Sequence, residues 1–263
     1  MIERSQDRRG PIESRFLQGL FLLIGFGDGS SAPRERYTGA RPSVYSAALA
    51  RDQRGGIVTR FNGTSDTIQY ADTVALRKPT IAFTLFARAR LTSMAPAGAP
   101  LGGKRTVPGG GYSWGCEVNN VQVTGYVYNG VKTFIQTSTG PPTGKWLNVF
   151  IRWASGVPLT AEAFYDGGQA IIARASSANV SGTIAYTADP LLFMDDGFGN
   201  FHAGDMASLA VWNRRLTDGE LLRLAEDPGV LLRRTGPSLA PLAAVPDDVN
   251  FQPVQPLHRA GHL

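Results

Sequence analysis

Residues 205–228, DMASLAVWNRRLTDGELLRLAEDP, change hydrophobic period halfway along. Up to Trp212 the apolar side chains of Met206, Leu209, Val211 and Trp212 sit among alanine and serine as they would on a strand. From Thr217 the spacing turns helical. Thr217 suits an N-cap, Glu220 three residues on completes a capping box, Leu221, Leu222, Leu224 and Ala225 form an apolar stripe, and Pro228 ends it. The segment predicts one short helix closing a chain made otherwise of strands. Its leucine stripe marks that helix as a plug needed for folding, with an aspartate at Leu221 or Leu222 expected to be ruinous.

Upstream, strand signals recur at short intervals: Phe16–Phe26, Ile57–Phe61, Thr67–Tyr70, Thr80–Leu91, Gly111–Val118, Val121–Tyr128, Val131–Thr137, Trp146–Trp153, Thr160–Tyr165, Gln169–Ala175, Leu191–Met194 and Ala207–Trp212. Asn-Gly, Asp-Gly, Gly-Gly and Pro-Pro steps separate them, so YNGVKTF and YDGGQAI read as hairpins. In Thr80–Leu91, Ile81, Phe83 and Leu85 share one face while Phe86, Arg88 and Arg90 share the other. Many short strands with regular turns predict an all-β sandwich or barrel, not βαβ units.

Composition narrows the function. The chain has 263 residues, 43% of them hydrophobic, with 31 glycines and 17 prolines. Its net charge of +5 is spread without a run of five like charges, which argues against a nucleic-acid-binding stripe. The single cysteine, Cys116, excludes an intrachain disulfide framework and reads as a small buried hydrophobe. Of the three histidines, His202, His258 and His262, two fall in a proline-rich tail, so neither a histidine metal cluster nor a triad assembles readily. The stretch RFLQGLFLLIGFGDGSSA, residues 15–32, imitates a targeting segment, but Gly19, Gly25 and Gly27 interrupt its apolar run, which is too short for a membrane helix. It reads as a buried strand, and no membrane partner is expected.

Each chemical motif meets a plainer alternative. Gly111–Gly115, GYSWG, matches the nucleophile elbow, yet strand residues follow Ser113 where the motif needs a helix, so Ser113 should be catalytically silent. GFGDG, Gly25–Gly29, lacks the helix a phosphate loop requires. Asp195, Asp196, Asn200 and Asp205 supply oxygen ligands of the calcium type without its loop spacing; they read as turn caps, and no cofactor is expected. Glu117 and Glu162 are too widely separated to form a glycosidase carboxylate pair, so the chain is expected not to be an enzyme. Tyr112, Trp114, Tyr126 and Tyr128 lie on adjacent strands and offer a platform for sugar rings, against the alternative that they are core.

Four phrases, in order, carry a family resemblance: RFNGTSDTIQY, KWLNVFIRW, AFYDGGQAI and GDMASLAVWNRRLTDGELLRLAEDPGVLL. Across residues 16–232 the chain resembles the laminin-G-like, concanavalin A-like jelly-roll domains. The resemblance implies a two-sheet antiparallel sandwich with a helix packed across it, covering a sheet edge or opening. Ala207-Ser208 stand where the family shows an acidic pair, so no metal or sugar ligand carries over. LAEDPGVLLRR looks like the close of such domains in tailed-phage virion proteins.

The organisation expected is an arm over residues 1–14, a sandwich over 15–232 and an extended tail over 233–263. The tail has five prolines and no periodicity, with Val245, Val249, Phe251, Val254 and Leu257 as anchors for a strap along a neighbouring subunit. The first functional expectation is therefore a non-enzymatic virion structural protein, a head decoration, cement or fibre component contacting its own copies and other shell proteins through its arms. The alternative is a carbohydrate-binding adhesin or receptor-binding module of a phage tail or bacterial surface, with a surface glycan as partner.

Overall fold

The period-2 segments become strands of two antiparallel sheets. The computed structural model describes residues 14–26, 33–36, 38–52, 56–94, 99–105, 112–137, 140–165, 171–196 and 199–232. The first described strands are β1 (Leu20–Gly25), β2 (Val44–Tyr45), β3 (Ala48–Arg51), β4 (Ile57–Asn62), β5 (Ile68–Tyr70), β6 (Ala82–Ser93) and β7 (Ala99–Arg105). They are followed by β8 (Tyr112–Val118), β9 (Val123–Tyr128), β10 (Lys132–Gln136), β11 (Trp146–Ala154) and β12 (Val157–Tyr165). β13 (Ile171–Val180), β14 (Leu191–Phe193) and β15 (Ala203–Trp212) complete the set. The helices are α1 (Ser14–Leu17) and α2 (Asp218–Glu226), with 3-10 turns at Val74–Arg77 and Pro228–Leu232.

One sheet has eight strands in the order β13-β12-β11-β6-β15-β4-β3, with β1 also on β15; the other has seven, β10-β9-β8-β7-β14-β5-β2. β15 is the hinge of this layout. One of its edges pairs with β6 along its length, and the other is shared, β4 taking Ala203–Met206 and β1 taking Ser208–Trp212. The chain is an all-β antiparallel sandwich.

Alternation sorts the side chains. Phe83, Leu85, Ala87, Ala89 and Leu91 of β6 point between the sheets and meet Val149, Ile151 and Trp153 of β11 and Trp114 and Cys116 of β8. The rings of Phe83, Trp114 and Trp153 lie 6.2 and 6.3 Å apart. Residues of opposite parity feed a second core on the outer face of the eight-stranded sheet. There Phe86, Phe150, Phe164, Ala210 and Trp212 are roofed by Leu221, Leu224 and Ala225 of α2 and by Phe16, Val230 and Leu231. β1 is buried at all six positions because it faces both cores.

The closing helix therefore covers a sheet face and not an edge, which corrects the expectation. Leu222, placed on the apolar stripe by spacing, points outward and is 45% exposed. The capping box forms as the sequence predicts: Thr217 Oγ1 accepts from Glu220 N at 3.3 Å, and Thr217 N donates to Glu220 Oε2 at 2.9 Å. Arg214 grips Glu220, and with Thr217 it holds that carboxyl down to about 2. Arg152 ties the sheet to the helix start, reaching Glu162 at 2.5 Å and Asp218 at 2.6 Å.

Three strands, β2, β3 and β7, have no strand signal in the sequence. β7 reads as a turn because it contains Pro100, Gly102 and Gly103. Those glycines stand there for space. A Cβ on Gly102 would lie 2.3 Å from Leu209 Cδ1, and one on Gly103 would lie 2.0 Å from the Tyr126 hydroxyl. Residue 16, expected to begin a strand, sits instead in α1, where its carbonyl accepts from Trp212 Nε1 at 2.7 Å. Residues 1–13 of the expected arm and the tail with Val245, Val249, Phe251, Val254 and Leu257 lie outside the described residues, as does the YDGGQAI turn, while Ser14 begins α1.

Candidate functional site on the outer face of the seven-stranded sheet

Among the described residues the helical roof covers the outer face of the eight-stranded sheet, and no helix lies on the outer face of β7–β10. Pairing across those strands lays its side chains on a grid. One row runs Pro100, Glu117, Thr124, Gln136; the next runs Gly103, Gly115, Tyr126, Phe134; and Tyr128 pairs with Lys132 beyond it. At a strand spacing of about 4.8 Å the rows are about 14 Å long. Tyr126 lies flat across Gly115 and Gly103, which is why both must lack a Cβ, and it is buried. Phe134 beside it is 53% exposed, in a face otherwise of hydrogen-bonding side chains. Thr124, Tyr128 and Glu117 are half-buried, and Gln136 is exposed.

Arg105 comes in from the end of β7 and lies along this face. Its Nη1 pairs with Glu117 and its Nη2 donates to the Asp196 carbonyl at 3.3 Å. Asp196 belongs to the tight loop after β14. Asn200 donates through its backbone N to Asp196 Oδ1 at 3.0 Å and through Nδ2 to Oδ2 at 2.7 Å. Met194 enters the loop at φ 61, an unusual left-handed conformation for a long side chain. It is held by Met194 N to Pro100 O at 2.7 Å and His202 N to Met194 O at 2.9 Å.

His202 sits fully buried under that loop, its Nε2 2.9 Å from the Ala99 carbonyl. Burial pushes its pKa down to about 4. A histidine held neutral in the folded state stabilises it above the unfolded value of about 6.5, and that contribution is lost as pH falls toward 4. Stability should drop by up to about 3 kcal/mol across that window, and Glu220 should extend the decline below about 4.5. A series of urea titrations at stepped pH checks this; His202→Asn should flatten the upper window, and an unchanged slope would refute the assignment.

The sequence-derived candidates separate under this geometry. Trp114 is fully buried between the sheets and cannot stack on an external ring, because strand alternation pairs it with Cys116 and Val118 on the inner side. Tyr126 faces outward but is covered. Tyr128 does lie on the open face; the backbone of Tyr112 is in β8, and its side chain is outside the described residues. The four oxygen ligands do not gather: Asp205 is in the eight-stranded sheet, bound by Arg60 at 2.8 Å and by Arg90, whereas Asp195 and Asp196 follow β14. Among the described residues no group of three histidine, cysteine, aspartate or glutamate side chains is placed to hold a metal.

Glu117 and Glu162 stand on different sheets, Glu162 against Arg152. Ser113 lies within β8, 3.1 Å from Thr187 Oγ1, while His202 contacts the opposite end of β7. Cys116 is buried, and burial raises its pKa well above the usual thiol range. No described helix is long and apolar enough to cross a membrane.

Arg105, Phe134 and Gln136 were not singled out by the sequence reading. For Phe134 a signal existed. Alternation in KTFIQ puts Phe134 on the face of Lys132 and Gln136, an aromatic ring among polar neighbours.

No family model matches the chain, and no curated protein does. Solved structures do. Similar ones include the binding domain of Paraclostridial Mosquitocidal Protein 1 (TM-score 0.62, 14% identity, 79% of this chain and 52% of that one). Another is domain 4 of AbnA, a GH43 extracellular arabinanase from Geobacillus stearothermophilus, in complex with arabinotriose (TM-score 0.58, 12% identity, 78% and 98%). A third is the Trypanosoma rangeli sialidase in complex with sialic acid (TM-score 0.55, 16% identity, 80% and 33%). The chain thus spans about a third of the sialidase and about half of the mosquitocidal fragment. At these identities the likeness establishes the β-sandwich. It lends no support to the virion setting expected from the sequence.

Proposed function

We propose that this protein is a non-catalytic carbohydrate-binding module whose ligand lies across the outer face of the seven-stranded sheet. The observation that carries the reading is Phe134: an aromatic ring more than half exposed on a regular strand, with Tyr128 diagonal to it and Thr124, Gln136 and Glu117 alongside. Such a face supplies what a sugar needs, an apolar ring to stack on and nearby hydrogen-bonding groups to fix its orientation. The AbnA domain, similar over nearly its whole length, is described with arabinotriose bound, which supports the same class of ligand here. The lack of catalysis rests on Glu117 and Glu162 belonging to separate sheets, so that they cannot flank one glycosidic bond.

The test is binding to a printed panel of oligosaccharides, followed by calorimetry on whichever are retained. Phe134→Ala should weaken binding at least tenfold, about 1.4 kcal/mol, with an unchanged melting temperature because the side chain is exposed. Full affinity in that variant, or release of shortened sugars by the parent protein, would overturn the reading.

A further inference from the structure

We infer that the site selects neutral over carboxylate-bearing glycans, and that Glu117 sets this preference by sequestering Arg105. The inference rests on the glycan-binding reading above and names its ligand class. A face built to take a sialic or uronic acid needs a guanidinium turned toward the ligand, because a bidentate arginine is the favoured partner of a carboxylate. Arg105 is the arginine of this face, and it is turned down. Only 7% of its side chain is exposed, with Nη1 on Glu117 and Nη2 on the Asp196 carbonyl. Its second acidic neighbour, the Asp196 carboxylate, lies 4.0 Å away.

The carboxylates around Arg105 outnumber it. Glu117 keeps 20% of its side chain in solvent, one strand from Thr124 and two from the strand of Phe134. A ligand carboxylate over Thr124, which pairs with Glu117 across β8 and β9, would stand about 5 Å from Glu117, inside the Debye length of about 8 Å at physiological salt. Repulsion of this kind discriminates without any attractive contact to the favoured ligand. Lys132 shares the face by register at the sheet edge, so its charge has to be separated from that of Arg105 in any test.

The experiment uses the full chain and a panel pairing each neutral oligosaccharide with its sialylated or uronate-bearing counterpart, lactose with sialyllactose among them. The parent should bind the neutral member of a retained pair at least tenfold more tightly. Glu117→Gln should raise the ratio of acidic to neutral affinity at least fivefold by releasing Arg105, and adding Arg105→Gln should abolish that rise. Lys132→Ala should leave the ratio within twofold of the parent. Circular dichroism and melting temperature confirm that each variant is folded, and Arg105→Gln alone serves as the comparison should Glu117→Gln unfold. If the parent prefers the acidic member, or the ratio does not move in a folded Glu117→Gln protein, this inference falls while the glycan-binding reading stands. If no sugar of either kind is retained, the reading beneath it falls as well.

Discussion

Leu224→Asp should leave the protein unfolded at room temperature, while Leu222→Asp, two residues away on the same helix, should be as stable as the parent. Leu224 is fully buried against the aromatic group of the eight-stranded sheet, and Leu222 is 45% exposed. A carboxylate forced among Phe86, Phe150 and Trp212 gives up water for aromatic rings, and Arg152 at the start of the helix is already engaged by Glu162 and Asp218. Burying an uncompensated charge costs several kcal/mol, comparable to the net stability of a whole domain. The exposed position should change stability by no more than about 0.5 kcal/mol. Urea unfolding of the two variants side by side decides it. Equal stabilities would mean that α2 does not lie on this sheet.

Arg152→Met is expected to cost about 3–5 kcal/mol, because it leaves the Glu162 carboxylate buried without its guanidinium. The two side chains are 2% and 4% exposed. Arg152 also donates to the Leu216 carbonyl at 3.0 Å and to Asp218, so it positions the chain just before α2. Adding Glu162→Leu should recover at least about 2 kcal/mol of the loss, since it removes the carboxylate that Arg152→Met strips of its guanidinium. Recovery would show that the pair orients the helix more than it stabilises the fold. A double variant no better than the single one would place the whole loss in the contacts to Leu216 and Asp218.

The helix was legible because its signals are local. Thr217 and Glu220 are three residues apart, and a capping box depends on little beyond that spacing. The burial of Leu222 was misjudged because a stripe of three leucines and an alanine is wider than the strip of sheet it covers. The strands of period 2 were legible too, but period 2 divides a strand into two faces without saying which is inside. In YSWGCEV alternation groups Tyr112, Trp114 and Cys116 against Ser113, Gly115 and Glu117, and nothing local says which group is inside, so the platform and the core were interchangeable until β8 was paired. β7 was hidden for the opposite reason: its glycines are dictated by Leu209 and Tyr126, residues more than twenty positions away, and nothing local marks them as strand. The Arg105–Glu117 pair depends on that hidden strand. Asp195, Asp196 and Asp205 look like one cluster on paper, yet the chain crosses from one sheet to the other between them.

The placement of β15 bears on how the protein is made. The strand at the centre of the eight-stranded sheet is the last of the described strands in chain order, and its neighbours β1, β4 and β6 are all synthesised long before it. At about 5–20 residues per second, β6 waits roughly ten seconds for the partner along its free edge. During that interval the nascent chain presents an unfilled slot between β6 and β4, bordered by apolar side chains. The eight-stranded sheet therefore cannot close before Trp212 has been made, and a ribosome stalled before Ala203 would hold a chain prone to capture by chaperones or by another strand like β15.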